Sequence, residues 1–593
     1  MEISPIDGLK LRSTISPRFY RSRTGTFNDI IYDSYYDDTP KPTRDAISDN
    51  SVSFDYTWDN VLTYNKVFND VHHITVTGLF STYATRDEKL KVETKGMPYA
   101  SDWYNLFSGE FNASGSSSSY SETSLVSYMA RINYDYKGKY LLTGSMRYDG
   151  SSKLAETWAS FPSAAIAWRA SEESFMQSNW ISNMKLRFSY GYSGNNNGVG
   201  AYATQAGPNV GSTVLYNFGS NVWTGFAPGS PVNEALAWEK TKEFDLGLDF
   251  GFFNERINGS VDLYTKLSDG LLMSRKLAIE SGVKSMKDNI GSVRNKGIEI
   301  MLNTVNIETK NLSWTTSFSF AKNNNSIVSL YGRKEDVVGE KRFIGEPIDV
   351  IYDYKIDGVW TQAEYDAGKT VYENHTFIPG EAKTLDTNGD GRFDVDDKVI
   401  LGSPDPKWIG GMKSNLTYKN WDLSFNIIIR QGMLIDDDFS HNYLNQGSRS
   451  TVKLASYDYY MPAGAPVIDW DNFKLDANGY ATDITWKANT EEKVNARYPL
   501  FKNGNNSSFN GGDAYYKDAS FVKVKNIVLG YTFKKNNLFD KAGISHLRVY
   551  ANVLNPFVFT KYKGYDPEYA GSSVKNGNGP ANVTYQFGVN VKF

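Results

Sequence analysis

The chain has 593 residues, 40% hydrophobic and 15% aromatic, with 40 Tyr, 33 Phe, 13 Trp, 50 Gly, no Cys and a formal net charge of -4. The charge balance gives no basic footprint for nucleic acid, the lack of Cys removes disulfides and cysteine-bound metals, and no run of about 18 apolar residues exists for a helical membrane span. Apolar content below the soluble-domain norm of about 45–50%, beside so many aromatics, suits sheets that are greasy on one face and wet on the other.

Alternating segments are predicted from the N-terminus onward. Leu9–Ile15 is a first weak strand, and the Tyr/Asp/Pro-rich stretch from Arg21 to Asn50 reads as a long loop. Val52–Tyr64 and His73–Ser81 are joined by the short link Lys66–Val71, and a polar loop, Arg86–Glu122, follows. Val126–Tyr134 and Tyr140–Tyr148 form a hairpin that turns at Tyr136-Lys137-Gly138. In its second arm Tyr140, Leu142, Met146 and Tyr148 share one face; Thr143, Ser145, Arg147 and Asp149 share the other. Phe161–Trp168, Met184–Tyr192, the strand of Phe244 to Phe250 and that of Ile257 to Leu263 come next, then Val293–Thr304 and Trp314–Phe320. A long segment, 325–408, leads to Met412–Tyr418 and Trp421–Arg430, and a second, 435–518, leads to Phe521–Phe533 and Leu547–Val553. The chain ends on Val583–Phe593, where Val583, Tyr585, Phe587, Val589, Val591 and Phe593 line one face.

These are about sixteen strands of the roughly 9–11 residues that cross a bilayer. Short and long connections alternate, as they do when turns lie on the periplasmic side of an outer membrane and loops lie outside. Arg430 alternates with Ile427 and Ile429. An Arg facing lipid at mid-membrane costs about 2–4 kcal/mol, so its face is assigned to the lumen. The fold class expected is therefore all-β, a transmembrane antiparallel β-barrel set in outer-membrane lipid. Met1-Glu2-Ile3-Ser4 has no charged or apolar leader region, so an export signal is expected upstream.

The strongest local motif is Asp386-Thr387-Asn388-Gly389-Asp390-Gly391-Arg392-Phe393-Asp394-Val395-Asp396-Asp397. Side-chain oxygens of Asp386, Asn388, Asp390, Asp394 and Asp397, the Arg392 carbonyl and Gly391 occupy the positions of a calcium-binding loop, since calcium needs about six to eight oxygens around one point. The bland alternative is an Asx-turn loop whose carboxylates are merely solvated. His72-His73 face opposite sides of a strand, which argues against a shared metal, and no nucleophile elbow or zinc helix motif is present. Tyr216, Trp223, Trp360, Tyr372, Tyr459, Tyr460 and Trp470 lie in predicted loops, where they could stack on a ligand or on one another. Tyr134, Tyr140, Tyr148, Trp421 and Tyr562 read as an interfacial girdle.

Gly291-Ser292-Val293-Arg294-Asn295-Lys296-Gly297-Ile298-Glu299-Ile300, the Tyr134–Asp149 hairpin with Phe161-Pro162-Ser163-Ala164, and Asn388-Gly389-Asp390-Gly391 through Gly402-Ser403-Pro404 together resemble the SusC/RagA-like TonB-dependent outer-membrane transporters of Bacteroidetes. The resemblance implies the C-terminal portion, here residues 1–593, of a barrel of about 22 strands, with signal peptide, TonB-box and plug lying further upstream. It also implies import of oligosaccharides or peptides, a SusD-like surface lipoprotein docked on the long loops, and TonB acting through that upstream region. A non-transporting surface barrel for adhesion or partner binding, or a truncated remnant, is the alternative. No enzymatic constellation is expected.

Overall fold

The computed structural model describes the chain apart from residues 30–43, 437–459, 496–515 and 569–581 and short stretches near 101, 206–208, 220, 228–230, 282–284, 470–484, 535–542 and 563–565. It divides into two compact units, one of Met1–Glu255, Ser260–Lys296 and Ser326–Glu335, the other of Arg256–Gly259, Gly297–Asn325 and Asp336–Phe593.

The first unit is an antiparallel meander. β1 (Glu2–Ile6), β2 (Leu9–Asn28), β3 (Asp45–Phe68), β4 (His72–Lys95), β5 (Ser117–Tyr136), β6 (Tyr140–Ser151), β7 (Trp158–Arg169), β8 (Ile181–Asn195) and β9 (Glu239–Phe252) each pair with the next. β10 (Ile257–Asp269) and β11 (Gly291–Glu308) follow in the chain. In the second unit the Leu312–Asn325 part of β12 (Leu312–Leu330), β13 (Trp408–Tyr418), β14 (Trp421–Gln431), β15 (Phe521–Thr532), β16 (His546–Thr560) and β17 (Thr584–Lys592) pair in the same consecutive way. Strands β2 to β17 coincide one for one with the sixteen segments expected from alternation.

The faces divide as the alternation requires. Large apolar side chains stay exposed along one face of the strands in each unit, among them Trp58, Leu62, Ile132, Leu142, Met146, Ile166 and Leu246 in the first and Phe318 and Phe587 in the second. Such a row is tolerated only against lipid or a partner, because a water-soluble protein rarely leaves so wide an apolar surface uncovered. Turn chemistry fits too: Lys137 and Gly138 adopt φ 56 and φ 66 between β5 and β6, the left-handed geometry that closes a tight hairpin.

Three expectations need correction. The stretch from Arg21 to Asn50 is not one loop, because β2 runs on to Asn28 and β3 starts at Asp45, in register to the pair Asn28↔Asp45. Arg86–Glu122 likewise begins and ends in strand, β4 reaching Lys95 and β5 starting at Ser117. Above the membrane both faces meet water, so ladder hydrogen bonds sustain the strands after the apolar alternation has gone. The short–long alternation also fails once: the connection 152–157 is brief, whereas 170–180 on the turn side carries two short 3-10 turns, Ala170–Glu172 and Ser174–Met176. The brief connection is held by a small core in which Leu154, Leu236 and Trp238 are buried.

Candidate functional site

The face opposite the exposed apolar one is polar and cross-linked. Arg187 on β8 reaches Asp249 on β9 at 2.9 Å and Asp262 on β10 at 2.7 Å. Arg548 on β16 forks onto Asp422 of β14 through Nε at 2.9 Å and Nη2 at 2.5 Å. This planar two-pronged bond fixes geometry as well as charge. Gly530 leaves room for the pair, since a Cβ there would stand 2.4 Å from the Arg548 guanidinium and would push the two side-chain ends aside. Asn426 donates to Asn526 across β14 and β15 at 2.9 Å. Pairs of this kind, partly open to water, contribute about 0.2–1 kcal/mol each. Their main consequence, in each unit taken by itself, is to present hydrogen-bonding groups along the face of the strands opposite the apolar one.

The calcium-type loop occupies the segment between β12 and β13. Asp386 accepts the N–H groups of Gly389 at 2.6 Å and Gly391 at 2.9 Å, and Asn388 accepts that of Asp390 at 3.0 Å. Asp390 accepts that of Arg392 at 2.8 Å, while the Arg392 side chain turns away to Glu373. Asp394 accepts the N–H of Asp396 at 2.9 Å. Asp397 is 1% exposed and accepts N–H groups from Thr387 at 2.9 Å and Asp394 at 3.0 Å. Gly389 and Gly391 adopt φ 75 and φ 77. The donor set has the hard oxygens that calcium requires, but these oxygens are engaged by the loop's own main chain. Among the described residues no group of three or more His, Cys, Asp or Glu is arranged to hold a metal ion.

Two associations escaped the alternation reading because they join residues far apart in sequence. The first couples the two long segments, 331–407 and 432–520. Val359 is buried against Tyr460, and Glu492 Oε1 accepts both the Tyr460 hydroxyl at 2.6 Å and the Gln362 N–H at 2.7 Å. Tyr516 donates to Asp353 at 3.1 Å. Burial and the neighbouring carboxylates push both phenols well above their ordinary range. The second association is ionic. Lys523, with no exposed side-chain surface, reaches Asp566 at 2.5 Å and Glu568 at 2.6 Å, and Lys525 meets Glu568 at 2.7 Å. Only the sequence spacing of Lys523 and Lys525, two apart on one strand, hinted at it.

The aromatic expectations divide. Trp360 and Tyr460 are buried, and Tyr372 rests edge-on against Phe377 with ring centroids 5.8 Å apart. These three therefore pack the loops on themselves. Tyr216 and Trp223 are exposed and opposite one another in a short hairpin; Tyr459 and Trp470 lie outside the described residues. Tyr140, Tyr148 and Trp421 are exposed as a girdle requires, but Tyr562 is 8% exposed among Met433, Ile435 and Phe521. Tyr562 does not belong to the girdle, because the chain turns inward after β16. His72 stacks on Tyr134 and hydrogen-bonds its hydroxyl at 2.8 Å.

Comparison with known proteins agrees with this geometry. Residues 7–555 match the family model described as TonB dependent receptor-like, beta-barrel. The TonB-dependent receptor SusC of Bacteroides thetaiotaomicron is 32% identical over 483 residues, 79% of this chain and 44% of that protein. TonB-dependent receptor P3 of Formosa agariphila is 30% identical over 564 residues, 90% of this chain and 52% of that protein. A solved structure of the RagAB peptide transporter superposes with a TM-score of 0.77 at 23% identity, covering 100% of this chain and 61% of that one. The chain thus spans about half the length of the curated relatives it matches.

Proposed function

Since the chain belongs to the TonB-dependent receptor family of outer-membrane β-barrels, we propose that it forms the wall and outer loops of an importer for oligosaccharides or peptides. The observation that carries this reading is the two-faced wall: apolar side chains exposed along one face and paired polar groups such as Arg548–Asp422 and Asn426–Asn526 along the other. A wall wet on the inside lets a hydrated solute pass where lipid would not. Similarity to SusC and RagAB supports a SusD-like surface lipoprotein seated on the long loops, with TonB providing the energy through a region upstream of this chain. The family is one of transporters rather than enzymes.

The test is uptake of fluorescent oligosaccharides and peptides by cells with and without the gene, before and after collapse of the proton gradient. The account expects uptake of at least one class to require both the gene and the gradient. Equal uptake in the deletion strain would leave an adhesive or partner-binding barrel as the better reading.

A structural calcium ion is part of the proposal, held by Asp386, Asn388, Asp390, Asp394 and Asp397 and the Arg392 carbonyl. The ligand spacing and the two glycines at positive φ support it. Each carboxylate oxygen carries two lone pairs, so Asp390 and Asp394, which accept one main-chain N–H apiece, keep acceptor capacity for the ion. Calcium should then protect the 331–407 segment from protease, chelator should remove the protection, and Asp390→Ala should abolish it. Equal protection with and without chelator in the native protein would rule the ion out.

A further inference from the structure

The lipid-facing side of β8 to β11 carries a group of cations at one end of its apolar band. On β9 the side chains of Lys242, Phe244 and Leu246 are exposed, while Glu243 and Asp245 between them are half-buried on the opposite face. Register sets Phe244 against Tyr190 of β8, Lys242 against Tyr192 and Lys240 against Gly194. The two lysines therefore continue the apolar face past a pair of tyrosines, the residues that mark a membrane interface. Thr265 and Leu267 of β10 share the face of exposed Leu263. Tyr190, Lys242, Phe244, Leu267, Arg294 and Lys296 line one concavity of about 440 Å³. The long connections 196–238 and 270–290 adjoin these strand ends, which places the concavity at the outer-leaflet edge of the apolar band.

These cations lack counter-charges of their own. Among the described residues the side chains of Lys242, Arg294 and Lys296 make no ion pair or hydrogen bond, whereas the cations of the inner face are matched: Lys266 meets Glu243 at 3.0 Å, and Arg187 meets Asp249 and Asp262. The carboxylate that shares their face is Asp269, two residues past Leu267, and it accepts the Ser292 hydroxyl. With Lys240 above them, the cations keep a positive excess. Basic side chains at this depth lay their stems on apolar surface and carry the charge to the interface. There they attract the phosphates that a bilayer surface presents. A free anion would use the cations and leave Phe244 and Leu267 uncovered; a lipid satisfies both. The Tyr190 and Thr265 hydroxyls beside them can each accept a hydrogen bond, which suits a sugar headgroup.

We propose that this concavity binds a phosphorylated glycolipid of the outer leaflet, its phosphate held by Lys242, Arg294 and Lys296 and an acyl chain lying along Phe244, Leu246 and Leu267. The site faces lipid rather than the lumen, so it is independent of the solute imported.

The test uses the native protein extracted from the outer membrane into mild detergent and titrated, by native mass spectrometry, with lipid A, with the same lipid stripped of its phosphates, with phosphatidylglycerol and with inorganic phosphate. Lipid A should bind more tightly than the other three. The double variant Lys242→Gln/Lys296→Gln should weaken it at least about tenfold, and Arg294→Gln should weaken it as well. Lys137→Gln, in the turn between β5 and β6, should leave it unchanged, and heat-modifiability on gels should show all the variants folded. No binding of lipid A, binding that the double variant leaves intact, or phosphatidylglycerol held as tightly as lipid A would each overturn the assignment. Equal binding of lipid A and its dephosphorylated form would overturn it too, and that comparison stands even where a variant fails to assemble.

Discussion

Lys523 is a cation with no exposed side-chain surface, and two carboxylates, Asp566 and Glu568, meet its ammonium group. Removing one partner of a buried ion pair leaves uncompensated charge behind, at a cost of about 3–5 kcal/mol. Lys523→Ala should therefore release the 561–568 segment, read as faster hydrogen exchange there and a lower melting temperature in detergent; unchanged exchange would mean that the pair holds nothing. The pH dependence follows from Glu568. Burial pushes its carboxyl up, but bonds from Lys523 and Lys525 outweigh burial and hold it below the ordinary carboxylate range. A carboxyl whose folded value is depressed contributes stability above its unfolded value and loses it as pH falls toward the folded one. The melting temperature should thus hold from neutral pH down to the carboxylate range and fall below it. In Lys523→Ala that acid-side loss should shrink. Neither the burial of Lys523 nor its partners were legible in sequence, because the acids lie beyond β16 and only the fold brings them back.

At the scale of the element, strands were the most legible feature. β14 shows why: Leu423, Phe425, Ile427 and Ile429 alternate with Asp422, Ser424, Asn426 and Arg430, and the structure sets Asn426 against Asn526 while Phe425 pairs with Ile527 on the other face. Phe425→Arg would put a charge into lipid at about 2–4 kcal/mol and should impair assembly, whereas Asn426→Arg should be tolerated. The measurement is heat-modifiability of the two variants on gels, and equal behaviour would contradict the facing. Strand ends were less legible. From Arg21 to Asn28 no apolar face remains, and only pairing with β3 reveals the strand. The 331–407 segment was legible as a loop and as a calcium-type motif but not as a packed body: burial of Tyr354, Trp360, Phe377 and Phe393 in one cluster depends on contacts that no periodicity encodes. Glu364 belongs to the same body; burial raises its carboxyl, but bonds from Lys383 and Thr361 hold it below the ordinary range.

At the scale of the whole molecule, a chain without a single Cys offers a clean background for the measurement that bears most directly on the central claim, that these strands cross the outer membrane with their long connections outside. Val371, 61% exposed in the 331–407 segment, and Lys419, in the turn between β13 and β14, are each replaced by Cys and treated with a membrane-impermeant maleimide on intact cells. The account predicts that Val371→Cys is labelled at once and Lys419→Cys only after the outer membrane has been permeabilised. Labelling of Lys419→Cys on intact cells, or equal protection of both sites, would contradict it.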